Sequence, residues 1–324
     1  MLPQLLQTLA ISTLLATAIA AADGTTKPVP AKPPVPLKLT EIGEGVYVSY
    51  GVNEDISRRN LGAISNIGFV VGKKCVAVID TGGSIAVGRA LRAAIEQETE
   101  VPICYVINSH VHQDHIFGNA AFDDSVTFIG HHKLAAAMAA RGPTYLNALE
   151  RDLGAAAAGT RIIAPEKTVS AKAKLELDLG ERILELRAWP TAHTDNDLTV
   201  YDEKSGTLWL GDLLFADHIP TLDGNLKGWL AVMKQLRELP IRRVIAGHGK
   251  IDRDWRTALA RQEGYLIALL NETRAAIKAG KTIQQTVDAV GAMKGSGEWN
   301  DWLLFDLFHK RNVTAAYAEL EWED

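Results

Sequence analysis

Short strand-like and helix-like segments alternate from Val46 to about residue 250, and this alternation is the strongest constraint on the fold. One strand-plus-helix half spans about residues 40–150 and a second spans about residues 165–250. Two such halves can pack sheet against sheet with their helices outside. The sequence therefore predicts an α/β protein with two packed sheets, followed by a mostly helical region from about residue 252.

Four side chains that can bind a metal ion fall within six positions of the stretch "NSHVHQDHIFGN", residues 108–119. They follow a predicted buried strand, where α/β proteins place functional loops. A lone histidine is most often structural or exposed, but packing alone gives no reason to gather four candidate ligands. Later strand ends add His193, Asp212 and His248, and the four in the stretch are His110, His112, Asp114 and His115.

The order His-x-His-x-Asp-His, then a His, an Asp and a Gly-His-Gly, resembles that of the metallo-β-lactamase-fold hydrolases over about residues 40–250. The resemblance implies an αββα sandwich with two metal ions, usually zinc. Carried over residue by residue, it gives one ion the ligands His110, His112 and His193. It gives the other ion Asp114, His115 and His248. Asp212 would bridge the two ions, and Asp114 would be essential for catalysis.

Coordination chemistry agrees with that assignment. Zinc takes about four ligands, and a catalytic zinc keeps one position for water. His110 and His112 are two residues apart, so an extended backbone can direct both rings to one ion. Two zinc ions among these ligands would favour a shared hydroxide that attacks an ester, thioester, lactone or amide-like bond. Iron and manganese accept the same ligands and are not excluded.

Other polar residues near these positions have secondary predicted roles. The resemblance implies that Asp80, in "VIDTGG", orients the first histidine pair, with capping of the following helix as the alternative. His218 is a candidate for substrate binding, together with Asp217 and Asp223 in the same loop. Three further histidines are predicted to be structural, capping or exposed residues: His131, His132 and His309.

Several longer stretches narrow the resemblance further. "ERDLGAAAAGTRIIAPEKTV", "LWLGDLLFADHIPTLDGNLKGWL" and "RNVTAAYAELEWE" look like the quinoprotein relay system zinc metallohydrolases, which are related to the SoxH hydrolases. That likeness implies an exported protein that acts on a small molecule in the pathway of a periplasmic quinoprotein dehydrogenase. The candidate protein partners are then a periplasmic quinoprotein dehydrogenase or a cytochrome, and the absence of any protein partner is the alternative.

The first residues have the character of an export signal. Residues 1–22 form an apolar stretch with A-x-A cleavage patterns, residues 23–37 are a proline-rich linker, and residues 38–324 form the folded domain. This organisation predicts a periplasmic location. Because no Lys or Arg precedes Lys27, an uncleaved anchor is the alternative.

Charge and cysteine content constrain the possible partners and the compartment. With a net charge of −5 and scattered basic residues, the sequence does not predict the basic surface that binds nucleic acid. Cys75 and Cys104 each lie in a strand-like run; an oxidising compartment permits a bridge between them, and two buried thiols are the alternative.

Three functions follow from these observations. The first is dinuclear zinc-dependent hydrolysis. The second is iron-dependent redox chemistry on the same fold. The third is a binding protein of the periplasmic pathway that a metal stabilises. The full ligand set favours hydrolysis. Asp212 resembles the bridging aspartate of other hydrolases of this fold, which zinc β-lactamases lack, so the resemblance implies that β-lactam cleavage is a side activity at best.

Overall fold

The computed structural model describes residues 37–122, 125–251, 254–291, 299 and 301–323. The predicted export signal and all of the proline-rich linker except Leu37 lie outside these residues. No helix in the described ranges has both the length and the apolar character needed to cross a lipid bilayer.

The first sheet has seven strands that lie side by side in chain order. The first four strands pair antiparallel with one another. From the fourth strand to the seventh, neighbouring strands pair in parallel. The strands are β1 (Leu39–Gly43), β2 (Val46–Ser49), β3 (Ile67–Val71), β4 (Val76–Ile79), β5 (Ile103–Ile107), β6 (Thr127–His131) and β7 (Lys167–Val169).

The second sheet has five strands in the order β12-β11-β10-β9-β8. Its strands are antiparallel except for the pair β11 and β12. They are β8 (Leu175–Asp178), β9 (Ile183–Ala188), β10 (Leu198–Asp202), β11 (Thr207–Phe215) and β12 (Arg243–His248).

Helices pack on the outer faces of both sheets. The α-helices of the described residues are α1 (Ile85–Glu98), α2 (Gln113–Ile116), α3 (Leu134–Leu153), α4 (Leu226–Arg237), α5 (Trp255–Lys278), α6 (Ile283–Gly291) and α7 (Phe305–Leu320). Helix α1 packs on the first sheet, whereas α4, α5 and α7 share one apolar cluster with the second. Helices α5–α7 occupy the region predicted to be helical. The predicted fold class, two packed sheets with outer helices, is confirmed.

Apolar side chains from both sheets fill the space between them. Val48 and Val70 of the first sheet and Leu186 and Val200 of the second belong to one buried cluster. These strands alternate inward and outward residues, as strands do when one face meets another sheet. The buried inner faces hold the two sheets, and the loops at their ends, in a fixed relative position.

A buried ion pair also joins the sheets. Arg182, just before β9, donates two hydrogen bonds to Asp202, at 2.9 and 2.6 Å. Its third nitrogen donates to the carbonyl of Val71, in the first sheet, at 2.9 Å. Burial opposes ionisation of Asp202, but the hydrogen bonds from Arg182 and Ser205 lower its pKa. The pair therefore remains charged and links the two layers.

Cys75 and Cys104 form a disulfide, which decides between the two predicted states of these cysteines. The bridge spans 29 positions in sequence. It joins the start of β4 to β5, two neighbouring parallel strands. Both strands end at residues of the candidate site described below.

Three local sequence patterns can be compared with the structure. Gly142 predicts a helix stop, which is wrong: α3 continues to Leu153 because Leu149 and Leu153 extend its buried face. The stretch "KTVS" precedes antiparallel-looking segments and predicts one more such strand, which is also wrong: Lys167–Val169 form β7 and pair in parallel with β6. Ser84, after a pair of glycines, predicts the N-cap of α1, and this is confirmed because Ser84 accepts a hydrogen bond from the backbone of Val87.

Arg182→Ala is expected to destabilise the fold by about 3–5 kcal/mol, because it leaves the buried carboxylate of Asp202 without its partner. Urea unfolding at neutral pH measures the loss. Lys174→Ala is the matched control, since it removes an exposed ion pair with Glu185 that is worth about 0–1 kcal/mol. Equal losses in the two variants would contradict the role of the buried pair.

Replacing both cysteines, Cys75→Ala and Cys104→Ala together, is expected to lower the free energy of unfolding by about 3–4 kcal/mol, because the unfolded chain regains loop entropy. Denaturant unfolding of the variant and of the oxidised parent gives the difference. A thiol titration that finds two reactive groups in the unfolded, unreduced parent would show that the bridge is absent.

Candidate functional site

Loops at one end of both sheets bring the seven predicted metal ligands together. His110 and His112 follow β5, while Asp114 and His115 lie in the short helix α2. The other three come from the second sheet or the loop after β9: His193, Asp212 and His248. Six of the seven side chains are buried, and His112 is half-buried.

The first set of ligand atoms, here called the triple-His group, consists of His110, His112 and His193. His112 Nδ1 lies 3.0 Å from His110 Nε2 and 3.1 Å from His193 Nε2. Together with a carboxylate oxygen of Asp212, these atoms all lie within 4.8 Å of one another. The spacing is compact enough for one ion to touch all of them.

The second set, here called the Asp-His-His group, consists of Asp114, His115 and His248. Asp114 Oδ2 lies 3.5 Å from His115 Nε2 and 3.2 Å from His248 Nε2. These three ligand atoms also lie within 4.8 Å of one another. The structure thus separates the ligands into the two groups that the sequence resemblance implied.

Asp212 lies between the two groups. Its Oδ2 atom is 3.6 Å from His110 Nε2 and 3.4 Å from His193 Nε2 in the triple-His group. The same carboxylate lies 3.4 Å from His248 Nε2 and 3.2 Å from His115 Nε2 in the other group. A single carboxylate in this place can serve both groups, as expected for a bridging ligand.

Hydrogen bonds from the outer ring nitrogens fix how each imidazole of the triple-His group is oriented. His193 Nδ1 donates to the carbonyl of Thr221 at 2.8 Å, and His112 Nε2 donates to Asp223 at 2.8 Å. Ser109 Oγ donates to Asp80, so it accepts from His110 Nδ1 at 3.0 Å. Since a neutral imidazole has one N–H, all three inward nitrogens carry lone pairs.

Lone pairs about 3 Å apart repel one another unless a proton or a cation lies between them. Burial lowers the pKa of His110, and it lowers that of His193 to about 3, so neither of these two rings supplies a proton between them. The donor set of the triple-His group therefore fits a metal ion. His115 Nε2 and Asp212 Oδ1 are buried 3.2 Å apart in the same centre, and neither makes a well-aligned hydrogen bond among the described residues.

The Asp-His-His group has a different charge state. Burial alone would lower the pKa of His115 and His248, but the carboxylates of Asp212 and Asp114 raise both, that of His248 to about 9. In the chain by itself these rings hold protons. An ion that binds there replaces the protons as the partner of the carboxylates.

Asp80 is placed differently from its predicted role. Its carboxylate accepts hydrogen bonds from the backbone and hydroxyl of Ser109 and from His115 Nδ1 at 2.8 Å. It therefore orients His115 directly and reaches His110 only through Ser109, instead of holding the His110–His112 pair. Its backbone is left-handed, with φ of 52°, which is strained for a non-glycine residue.

Two glycines allow the strands to approach closely at the centre. A Cβ on Gly247 would collide with the carboxylate of Asp212, which β11 places against β12. Gly211 has a φ of 52° and lies against the side chain of Ser109. A side chain at either position would displace a ligand or the residue that orients it.

The remaining predicted polar residues lie at the edge of the centre or away from it. His218 is buried, donates to the carbonyl of Ile219 and packs against the ring of His248. His131 was expected to be exposed or capping, but it is buried at the end of β6 and contacts the carbonyl of Trp189. His309 is buried beside Tyr265, in agreement with a structural role.

Sequence reasoning missed several residues that orient the ligands. Ser109 and Thr221 hold ring nitrogens, and Arg141 binds the carboxylate of Asp223. Ser109 directly precedes His110, and this adjacency could have predicted a hydrogen bond between the hydroxyl and the ring. The others act across long sequence separations and leave no local pattern.

A cavity of about 440 Å³ opens onto the metal ligands. Its polar lining includes Asp114, Asp212 and Asp223. Its apolar lining includes Leu304, which precedes α7, and Phe308 of α7. This volume is sufficient for a small molecule with an apolar portion.

Comparison with known proteins agrees with the fold. The sec-alkylsulfatase Pisa1 from Pseudomonas sp. has a TM-score of 0.67 at 19% identity, over 89% of this chain and 51% of its own. The metallo-beta-lactamase from Pontibacter korlensis has a TM-score of 0.54 at 19% identity, over 71% of this chain and 99% of its own. TMB-1 has a TM-score of 0.55 at 18% identity, over 72% and 98%.

The chain matches only about half the length of the alkylsulfatase, and these identities compare folds alone. No protein with a curated description matches the chain. A sequence profile described as "Metallo-beta-lactamase superfamily" matches residues 61–248, which contain all seven predicted ligands. The chain belongs to the metallo-β-lactamase superfamily.

Proposed function

We propose that this protein is a dinuclear zinc-dependent hydrolase of a small molecule with an ester, thioester, lactone or amide-like bond. The observation that carries the proposal is the set of three inward lone pairs in the triple-His group, beside a second group that shares Asp212. Metal ions bound there would activate water at neutral pH and polarise the bond to be cleaved. The superfamily membership supports hydrolytic chemistry.

The chain's own residues have separate tasks in this reaction. Asp212 holds both halves of the centre in register, and Asp80 and Ser109 fix the rings of His115 and His110. Asp114 lines the cavity with its carboxylate, and the neighbouring His115 and His248 lower its pKa although burial opposes this. It therefore stays ionised, so it could bind an ion and accept a hydrogen bond from the attacking water.

The cavity determines which part of a substrate reaches the centre. Phe215, Leu222 and Phe308 give it an apolar surface that excludes water from the substrate's hydrocarbon portion. Arg311 of α7 adds a positive charge to the wall. A compact ester or lactone with an apolar substituent fits these surroundings.

We propose a periplasmic location and a role beside a quinoprotein dehydrogenase, with that enzyme or a cytochrome as the partner. The disulfide between Cys75 and Cys104 supports an oxidising compartment, where such bridges persist. The long stretches that look like the quinoprotein relay system metallohydrolases support the pathway.

The purified protein is expected to hold two zinc ions per chain, as measured by elemental analysis. His193→Ala and His248→Ala should each remove one ion, because each deletes a ligand of a different group. His132→Ala is the control, since this exposed histidine lies outside both groups. One equivalent or more of iron per chain, with a visible absorption band, would contradict zinc-dependent hydrolysis and support iron-dependent redox chemistry instead.

Asp114→Ala is expected to lower hydrolysis by about 10²–10⁴-fold, because the variant loses both a candidate ligand and the carboxylate that would orient the attacking water at the cavity. The assay is a panel of lactones, esters, thioesters, β-lactams and an alkyl sulfate, with circular dichroism to verify the fold. Asp152→Ala, an aspartate in α3 away from the cavity lining, should retain full activity. Unchanged turnover by Asp114→Ala would refute the proposed mechanism.

A further inference from the structure

The C-terminal helix α7 reaches the metal ligands through one buried amide, and we infer that Asn312 is a positioning residue for the triple-His group. Asn312 lies outside the segment that matches the superfamily profile. The inference rests on the proposed metal centre and not on hydrolysis.

Asn312 holds the backbone on both sides of Thr221. The amide is 1% exposed; its Nδ2 donates to the carbonyl of Pro220 at 2.7 Å, and its Oδ1 accepts from the backbone N–H of Leu222 at 2.9 Å. The carbonyl of Thr221, between these two contacts, accepts from His193 Nδ1 at 2.8 Å. Asn312 therefore fixes the peptide that orients a ligand.

The same loop also orients a second ligand. Asp223 lies in this loop, and its Oδ2 atom accepts from His112 Nε2 at 2.8 Å and also from the guanidinium of Arg141. Two of the three rings in the triple-His group thus depend on the loop formed by residues 220–223. A shift of this loop would move both inward nitrogens.

A hydrogen-bond chain keeps the Asn312 amide in one orientation. Its Nδ2 also donates to Tyr265 Oη at 2.9 Å, and Tyr265 contacts His309 Nδ1 at 2.9 Å. His309 Nε2 in turn donates to the carbonyl of Val290 at 3.0 Å. A flipped amide would turn its oxygen toward the Pro220 carbonyl and its nitrogen toward the Leu222 N–H, so only one orientation satisfies the site.

A different amide supports the Asp-His-His group. Asn66 Nδ2 donates to the carbonyls of Ala246 and Gly249, at 2.8 and 2.7 Å, on either side of His248. This ring is oriented by the carbonyl of Ile64 at 3.0 Å. The two ligand groups therefore have independent supports, and loss of one support should weaken one ion selectively.

Zinc binding to the intact protein tests this selectivity. His193→Ala and His248→Ala first identify which of the two binding steps belongs to which group. Asn312→Ala is expected to raise the dissociation constant of the triple-His step by about 10-fold, the lower end for residues that orient a ligand, and to change the other by less than about twofold. Asn66→Ala should show the reverse selectivity.

Val313→Ala is the matched structural control. Val313 is the next residue of α7, is fully buried and belongs to the apolar cluster that α7 shares with the second sheet. It should lower stability without changing either zinc step. If Asn312→Ala does not fold, Asn312→Asp is measured by the same criterion, since its carboxylate keeps the acceptor and loses the donor to Pro220.

Equal weakening of both steps by the Asn312 variant, no weakening of either, or the same selective shift in Val313→Ala would overturn the inference. These outcomes leave the metal centre itself intact. Failure of the unmodified protein to bind zinc or another metal would instead count against the proposed function, whatever the Asn312 variants do.

Discussion

Mutual repulsion among the inward nitrogens of His110, His112 and His193 is the condition that the rest of the site must satisfy. When the three rings are neutral, inward nitrogens that lie 3.0 and 3.1 Å apart repel one another through their lone pairs. A cation bound between them would relieve this repulsion. Each ring therefore needs a rigid partner on its outer nitrogen. Ser109, Asp223 and the Thr221 carbonyl provide these partners. The surrounding loops have to hold these three groups in place.

The two sheets have to keep a fixed register because each supplies part of the centre. The ligands after β5 belong to the first sheet, whereas Asp212 and His248 belong to the second. The buried cluster between the sheets and the contact from Arg182 to Val71 hold this register. Sliding of one layer by even a single residue would separate the carboxylate of Asp212 from the imidazoles that it joins.

The clustering of the candidate ligands and the fold class could be predicted from the sequence because both depend on short-range patterns. Spacing within "HVHQDH" and glycines around His248 are visible locally, as is the alternation of strands and helices. The course of α3 beyond Gly142 and the partner of Asp80 were not predictable in this way. They depend on packing against residues distant in sequence, such as the approach of His115 to Asp80. Asn312 is more distant still and leaves no motif.

One wall of the cavity comes from helix α7, which begins well beyond the profile match that ends at His248. Evolution can therefore alter the wall that faces a substrate without touching any ligand. Substitutions at wall positions of α7 other than Asn312, such as Phe308 and Arg311, would alter selectivity, whereas the candidate ligands and their supports would persist. Divergence of substrate range among proteins of this architecture is then expected to be concentrated in the segment appended to the domain.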